Sequence, residues 1–376
     1  MSTRQGSNLR YSRNSHTRSR KPLPRALVII LSALMTAAVC IGCYAAVLIY
    51  KAKNDPASLF VPSETGQLST LTPDMTAAPV PDAHDLTDVD PGVAVTSVPG
   101  NEHDVRLRWS TEGYRFNDDI ITVVFMGIDV LEERGPLGFR ADTIILGIID
   151  TGTGETTLLS VPRDTYTMVQ RVDKDGNIVS HEMNRINASF AYGQGRTKYS
   201  YRNTMDALSY LIGGIPIEYY IGFDMDGMID IIDCVGGITM SVSSDVAHAA
   251  QIPSGTYRLD GRQALEYVRA RKNVGGDTAR IARQQEFVLK FLADIKQHNP
   301  IEYVPRLYDA AKYYLNTNLS TEQMAVLALL LKDLSLEEIN TITLPGENRT
   351  IDKISAWYCD EQALLDIVRG LYFVKD

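Results

Sequence analysis

Residues 143–165, TIILGIIDTGTGETTLLSVPRDT, contain two apolar runs that are separated by a short polar segment. Both runs are continuous rather than alternating, which is typical of strands that are buried on both faces. The TGTG segment between them is a turn signal, so we predict that the two strands form a hairpin. Charged residues then meet at its open end, because Asp142 precedes the first strand and Arg163 and Asp164 follow the second.

A third apolar run, Ile120–Gly127, precedes these two strands and ends shortly before another carboxylate. If this strand also pairs antiparallel, its end falls on the same edge of the sheet as the open end of the hairpin. Three strand ends then bring two arginines and three carboxylates together, namely Asp129, Arg140, Asp142, Arg163 and Asp164. The alternative is that these residues form ordinary structural ion pairs.

From residue 105 to residue 376 the pattern mixes strand-like and helix-like segments, without a repeat or a second linker. The predicted strands are Ile120–Gly127, Thr143–Ile149, Thr156–Val161, Tyr219–Phe223, Gly237–Val242 and Asn340–Leu344. The predicted helices are Tyr201–Ile212, Met225–Cys234, Gly261–Lys272, Thr278–His298, Thr321–Leu334 and Asp360–Tyr372. We therefore predict a single α/β domain over 105–376, with a central mixed β-sheet flanked by helices.

A second cluster of arginines lies downstream, in the segments EYVRARK and GGDTARIARQQEF. Arg269 and Arg271 flank an alanine at the end of one predicted helix, and Asp277 or Thr278 is a suitable N-cap for the next. Three side chains share one face in the first turns of that second helix, namely Arg280, Arg283 and Gln284. Because arginines oppose the helix dipole at an N-terminus, this arrangement favours a bound anion.

The two charged clusters together favour a diphosphate ligand. Guanidinium forks match phosphate oxygens, and carboxylates beside them suit a hard cation, Mg²⁺ or Mn²⁺, that bridges acid and phosphate oxygens. Other chemistries lack their motifs, since the chain contains no GxSxG, P-loop, GxGxxG or HExxH segment. VDKDGN at 172–177 lacks the correctly spaced glycine and glutamate of a calcium loop and predicts a polar turn.

Charge is segregated along the chain, whose formal net charge is −9. Residues 1–25 hold seven basic residues and no acid, whereas residues 26–50 carry no charge at all. An apolar stretch of this length can cross a bilayer, so we predict a single transmembrane helix at 26–50 with the basic tail in the cytoplasm. A cleaved signal peptide is the alternative, although no small-residue cleavage site follows.

Residues 51–104 are rich in Pro, Thr, Ser, Asp and Ala and have no helical or alternating pattern. This composition predicts a disordered extracellular stalk, which would keep the domain at 105–376 outside the cell and near the cell membrane. The acidic character of this outer part disfavours nucleic acid as a partner. Only Cys234 and Cys359 lie beyond the predicted span, so at most one disulfide can form there.

Several motifs over residues 120–290 occur in an order that resembles the LytR-CpsA-Psr family. They read VVFMGID, FRADTIILGIID, LLSVPRDT, NRINASFAYG and LDGRQALEYVRARKNVGGDTARIARQQEF. The resemblance implies an α/β fold with a pocket for a polyprenyl chain. It also implies a magnesium-aided phosphotransferase that moves a glycopolymer, such as a teichoic acid or capsular polysaccharide, from a polyprenyl-diphosphate carrier to peptidoglycan during cell-wall assembly.

The resemblance further implies roles for individual residues. Asp129 and Asp142 match the acids that hold the metal. The positions that match the diphosphate-binding residues are Arg140, Arg163, Arg185, Arg269, Arg271, Arg280 and Gln284. The residues expected to be catalytic are Arg163, Asp164, Arg269 and Arg271. For Asp164 and Asp277 the first expected role is to orient arginines, and the second is to accept a proton.

Two alternative functions remain open at this point. The same site could serve a hydrolase that releases polyprenyl phosphate to water instead of transferring the glycan. A membrane-anchored module without enzymatic activity, which binds or regulates the wall, is the other alternative. The sequence leaves the identity of the glycopolymer open.

Overall fold

The computed structural model describes residues 48–60, 96–97, 106–107, 113–130, 137–195, 197–271, 274–297, 306–307, 309–351 and 353–375. Its strands are β1 (Thr96–Ser97), β2 (Arg106–Leu107), β3 (Tyr114–Phe116), β4 (Ile120–Val130), β5 (Phe139–Asp150), β6 (Thr156–Ser160), β7 (Tyr166–Val172), β8 (Ile178–Arg185), β9 (Tyr219–Asp224), β10 (Ile238–Val242), β11 (Gly255–Leu259), β12 (Leu315–Thr317), β13 (Asn340–Thr343), β14 (Gly346–Ile351), β15 (Ile354–Cys359) and β16 (Phe373–Lys375). Its α-helices are α1 (Ala188–Tyr192), α2 (Lys198–Leu211), α3 (Gly227–Cys234), α4 (Ser244–Ala250), α5 (Gly261–Arg269), α6 (Gly276–Gln297), α7 (Thr321–Asp333) and α8 (Glu361–Tyr372).

Six strands form the central sheet, in the order β12, β9, β4, β5, β6 and β13. β4, β5 and β6 pair antiparallel, which confirms the predicted hairpin and its neighbour. β9 runs parallel to β4, and β13 runs parallel to β6. The sheet is therefore mixed, as predicted, and β4, β6, β9 and β13 all end at the edge where β5 begins.

A β-bulge interrupts the pairing of β4 with β5 at this edge. Gly127 lies opposite Thr143, but Ile128 lies opposite Ala141, so Asp142 is an extra residue on β5. The next pair is Asp129 with Arg140. A bulge bends its strand and redirects the side chain of the extra residue, which sets the orientation of Asp142.

The central strands are buried on both faces, as their continuous apolar runs predict. On β4, Val124 and Met126 belong to a core shared with α1, α2 and α8, whereas Ile121 and Val123 pack on the other face with residues of α7. A further apolar cluster joins the β10–β11 hairpin to helices α3, α4, α5 and α6. This cluster supports the end of α5 and the start of α6, where the second group of arginines lies.

The sequence did not predict two hairpins that flank the edge. β7 pairs with β8, and β14 pairs with β15, each as a separate two-stranded sheet. Their strands lack continuous apolar runs, since β8 reads IVSHEMNR and is largely exposed. The predicted polar turn at 172–177 is the tip of the first hairpin, where the Asp173 carboxylate accepts hydrogen bonds from the backbone and side chain of Asn177.

The predicted stalk begins with a folded segment. Ala57–Phe60 form a short 3₁₀-helix, and the Phe60 ring packs edge-on against Tyr219 with 5.3 Å between ring centroids. The side-chain amide of Gln323 also donates to the Leu59 carbonyl at 2.9 Å. The prediction of disorder is therefore wrong for residues 57–60, which use their apolar side chains to cover the sheet.

Most of the predicted N-terminal organisation lies outside the described residues, including 1–47 and 61–95. Within the described part of the chain, no helix has the length and apolar character needed to cross a membrane. Cys234 and Cys359 are not joined by a disulfide.

Candidate active site

The edge formed by the starts and ends of the central strands brings predicted charges together. Arg163, which follows β6, donates through Nη1 to Oδ2 of Asp142 on β5. The other oxygen of Asp142 accepts a hydrogen bond from Nδ2 of Asn187 at 3.4 Å. The side chains of Arg163 and Asp142 are only 16% and 15% exposed, so this ion pair is largely shielded from solvent screening.

Asp164 lies between two arginines. Its carboxylate is 3.7 Å from Nε of Arg163 and 3.8 Å from Nε of Arg185. Arg185 also donates from Nε and Nη2 to the Ser355 carbonyl, at 2.9 and 2.5 Å. The Trp357 backbone N–H donates to the Asp164 carbonyl at 2.9 Å. Arg185 therefore fastens the β14–β15 hairpin to the edge.

A second ion pair connects the edge to the downstream arginines. Nη2 of Arg269, at the end of α5, is 3.0 Å from Oδ1 of Asp129 and 3.7 Å from Oδ1 of Asp226. Asp226 lies just before α3 and is exposed. The helix α5 is fixed at its start by a capping box between Asp260 and Gln263, so the position of Arg269 is set by a well-anchored helix.

The remaining predicted residues differ in exposure. Arg280 and Gln284 are buried in the first turns of α6, whereas Arg140 and Arg271 are exposed. Arg140 is the cross-strand partner of Asp129 and so belongs to the same edge. Asp277 lies in the first turn of α6, and its side chain is outside the described part.

A family comparison identifies the fold that carries this edge. The model of the LytR_cpsA_psr family matches residues 96–371. The chain belongs to this family. The resemblance expected from the sequence motifs is thereby confirmed, over nearly three quarters of the chain.

Characterised relatives extend the comparison. The polyisoprenyl-teichoic acid–peptidoglycan teichoic acid transferase TagU of Bacillus subtilis is 28% identical over 255 residues, which are 67% of this chain and 77% of TagU. The biofilm regulatory protein A of Streptococcus mutans is 28% identical over 243 residues, 61% of this chain and 58% of that protein. The relatives of this chain thus carry both enzymatic and regulatory names.

Solved structures have a similar fold. Protein gbs0355 of Streptococcus agalactiae is 26% identical, with a TM-score of 0.58 over 67% of this chain and 86% of that chain. TagV of Bacillus subtilis is 25% identical, with a TM-score of 0.54 over 67% of this chain and 96% of that chain. These likenesses agree with the mixed sheet and its flanking helices.

The carboxylates of the edge suit a metal that is shared with a ligand. Among the described residues, no group of three or more His, Cys, Asp or Glu side chains is arranged to hold an ion. Asp129 and Asp142, however, lie on neighbouring strands, and each commits one oxygen to an arginine. Mg²⁺ is often held by one or two carboxylates together with substrate phosphates. The carboxylates of Asp129 and Asp142 are therefore suitable ligands for Mg²⁺.

Three further acidic side chains, Asp224, Asp226 and Asp230, lie near Tyr314. Asp230, by its charge and a hydrogen bond, raises the pKa of the Tyr314 phenol, and Asp226 and Asp224 add to this effect. A phenol resists ionisation where nearby charge is negative. Asp224, Asp226 and Asp230 therefore form an acidic group around Tyr314, and Asp226 also lies 3.7 Å from Arg269.

Sequence reasoning missed some residues of the edge. Asn187 lies two positions after Arg185 in the NRINASF motif, and Asp226 lies in the GFDMDG segment before α3. Neither residue stands in a charge pattern that distinguishes it from a residue of an ordinary turn. Ser355 and Trp357 contribute through their backbone groups, which no side-chain pattern reveals.

Proposed function

We propose that this protein is a phosphotransferase that moves a glycopolymer from a polyprenyl-diphosphate carrier to a hydroxyl of peptidoglycan. The polymer would be a teichoic acid or a capsule-like polysaccharide. The observation that carries the proposal is the meeting of the Asp142–Arg163 and Asp129–Arg269 pairs at one edge of the sheet. The name of TagU, which is 28% identical, supports the same reaction class.

The arginines account for recognition of the diphosphate. Arg163 and Arg185 come from the segments around β6 and β8, while Arg269 and Arg271 come from the end of α5. A diphosphate carries charge on several oxygens, and guanidinium groups from different elements can bind them together. In the family of open α/β sheets, ligands bind outside the carboxyl ends of the strands, where these residues lie.

Transfer requires one bond to form and one to break at the glycan-linked phosphorus. The acceptor hydroxyl oxygen attacks that phosphorus, and the bond to the oxygen of the departing polyprenyl phosphate breaks. A carboxylate at the edge, Asp142 or Asp164, takes the hydroxyl proton. The arginines stabilise the charge on the leaving phosphate, so the protein contributes positioning and electrostatics more than covalent chemistry.

A divalent ion is part of this proposal. Asp129 and Asp142 would hold Mg²⁺ or Mn²⁺ through the oxygen of each that does not pair with an arginine. In Asp142 this oxygen also accepts the long hydrogen bond from Asn187. When bound, such an ion neutralises charge on the phosphate oxygens and orients the diphosphate. The catalytic roles proposed for Arg163, Asp164, Arg269 and Arg271 do not depend on which of the two metals is present.

We also propose that the catalytic domain lies outside the cell, anchored to the membrane by residues 26–50 with the N-terminus in the cytoplasm. The basic tail and the uncharged stretch after it support this orientation. One substrate would then be in the membrane and the other in the wall, within reach of a domain held near the bilayer.

The test is a reconstituted reaction of the full chain with a carrier lipid that bears a labelled glycan, with and without peptidoglycan. We expect label to become attached to insoluble peptidoglycan, and we expect Arg269→Ala to abolish this attachment. Label that is released as free glycan at the same rate with or without peptidoglycan would instead identify a hydrolase. Unchanged attachment by Arg269→Ala would contradict the site.

A further inference from the structure

Arg283 lies within the downstream arginine cluster but is directed differently from its neighbours. It is 8% exposed, on the second turn of α6, between Arg280 and Gln284 in sequence. Its Nη2 donates to the Ala270 carbonyl, and its Nη1 donates to the Val274 carbonyl at 3.4 Å. One guanidinium thus bridges the two ends of the short connector between α5 and α6.

This connector carries the arginines of the proposed diphosphate site. Arg269 is the last residue of α5, Ala270 is its C-cap, and Arg271 follows in the connector. Ala270 and Val274 are themselves buried, whereas Arg271 is exposed between them. Ala270 and Val274 are therefore fixed inside the domain, and Arg271, directly after Ala270, presents its side chain to solvent.

Burial of Arg283 costs free energy that its contacts must offset. Desolvation lowers its pKa, and the neighbouring Tyr267 opposes this shift. Its Nε is also buried without a hydrogen-bond partner among the described residues. The two carbonyls supply the compensating negative charge, and one of them belongs to the C-terminal end of α5, where the helix dipole favours a cation.

We propose that Arg283 is a positioning residue. It fixes the positions of Arg269 and Arg271 relative to Arg280 and Gln284. The inference rests on the proposed function, because it assigns these four side chains to one diphosphate. Arg283 does not contact the ligand itself. Its hydrogen bonds attach the connector, which follows Arg269 and carries Arg271, to α6, which carries Arg280 and Gln284.

The fork of the guanidinium explains why arginine occupies this position. Its two terminal nitrogens donate in fixed directions to the carbonyls of Ala270 and Val274, which are four positions apart in the sequence. Lysine keeps the charge but has one nitrogen and a different geometry. An amide side chain keeps donors but is shorter and neutral, so either substitution leaves a buried carbonyl without its partner.

The first experiment measures binding of farnesyl diphosphate, a soluble lipid diphosphate, to the full-length protein with Mg²⁺ present. We expect Arg283→Lys to raise the Kd at least tenfold. Arg262→Lys is the matched control, because Arg262 lies on α5 but is exposed, and we expect its Kd to equal that of the wild type. Equal affinity of Arg283→Lys and the wild type would overturn the inference.

A mutant cycle then separates positioning from direct contact. If Arg283 acts through the connector, Arg283→Lys should weaken binding by less than twofold once Arg269→Ala and Arg271→Ala are both present. Full additivity of the two effects would show that Arg283 binds the ligand independently and would overturn the assignment. Arg283→Gln is a second variant with the same expectations, and thermal unfolding identifies which variants remain folded.

The outcomes also distinguish this inference from the proposed function. A wild-type protein that binds no farnesyl diphosphate would contradict the proposed function and the inference together. A wild-type protein that binds it, with Arg283→Lys binding equally well, would contradict the inference alone. Backbone hydrogen exchange in residues 270–276 gives a third readout, and we expect it to accelerate at least tenfold in Arg283→Lys while β4–β6 stay protected.

Discussion

Arg163 lies between two carboxylates at the edge of the sheet. It donates to Asp142 and lies 3.7 Å from the carboxylate of Asp164. The two acids keep the guanidinium in place before a ligand arrives. A diphosphate would therefore bind to a guanidinium that is already oriented. Little reorganisation of Arg163 is needed when charge develops on the diphosphate oxygens.

Arg163→Lys retains the positive charge but removes the planar guanidinium, so it tests the contribution of the guanidinium geometry. We expect kcat/KM for glycan transfer to fall by about a hundredfold, the usual effect of removing one pre-oriented electrostatic donor. Arg171→Lys is the control, since Arg171 pairs with Glu182 on the exposed surface of the β7–β8 hairpin. Transfer by Arg171→Lys should equal wild type, and an equal rate for both variants would contradict the role of Arg163.

Individual residues also show where prediction from sequence succeeds. Strand direction fixes which strand termini are neighbours. It therefore predicts that four residues lie at one edge, namely Asp129, Arg140, Asp142 and Arg163. It could not reveal the bulge at Asp142, since bulges depend on pairing with a distant strand. Arg283 was grouped with Arg280 by helical spacing, but its actual contacts are with the preceding connector.

At the scale of elements, close packing of helices determines where Arg269 lies. Gly261 begins α5 next to α3, and a Cβ added there would be 2.3 Å from the Ile229 carbonyl oxygen. The two backbones therefore approach more closely than any larger residue allows. This contact sets the axis of α5 and hence the position of its last residue.

Gly261→Ala should accordingly destabilise the domain by about 1–3 kcal/mol, the usual cost of overpacking. Gly370→Ala is the matched control, because Gly370 is exposed on α8 and an added Cβ would meet nothing within 4 Å. There we expect stabilisation by about 0.5–1 kcal/mol from helix propensity. Urea denaturation measures both changes, and the same sign for both variants would refute the packing argument.

The elements that sequence reasoning missed share a physical cause. Each continuous apolar strand and each long amphipathic helix was predicted to within a few residues, because its core contacts leave a strong pattern. β8 and β14 are mostly exposed, so their sequences show no pattern of periodic burial. Their pairing is set by turns and by contacts with the edge, such as that of Arg185 with Ser355.

At the scale of the molecule, residues 57–60 pack against the central sheet. Phe60 is 7% exposed and packs with Tyr219 and with Ile121 and Val123 of β4. The composition of 51–104 as a whole suggested disorder, and four residues with the right apolar side chains were enough to override it locally.

Phe60→Ala should destabilise the folded domain by about 3 kcal/mol, because it removes a buried ring and leaves a cavity. Tyr313→Ala should change stability by less than about 0.5 kcal/mol, since Tyr313 is 83% exposed. Thermal or urea unfolding of the full-length protein provides the comparison. A Phe60→Ala protein as stable as the wild type would show that this segment does not contribute to the fold.

The central claim is that the glycan moves together with its phosphate. The most direct measurement uses a carrier lipid with ³²P in the sugar-linked phosphate and ¹⁴C in the sugar, incubated with the full-length protein and peptidoglycan. We predict that both labels enter peptidoglycan in their original ratio and that Arg163→Ala and Arg269→Ala abolish both. Incorporation of ¹⁴C without ³²P, or release of both labels in soluble form only, would contradict the account.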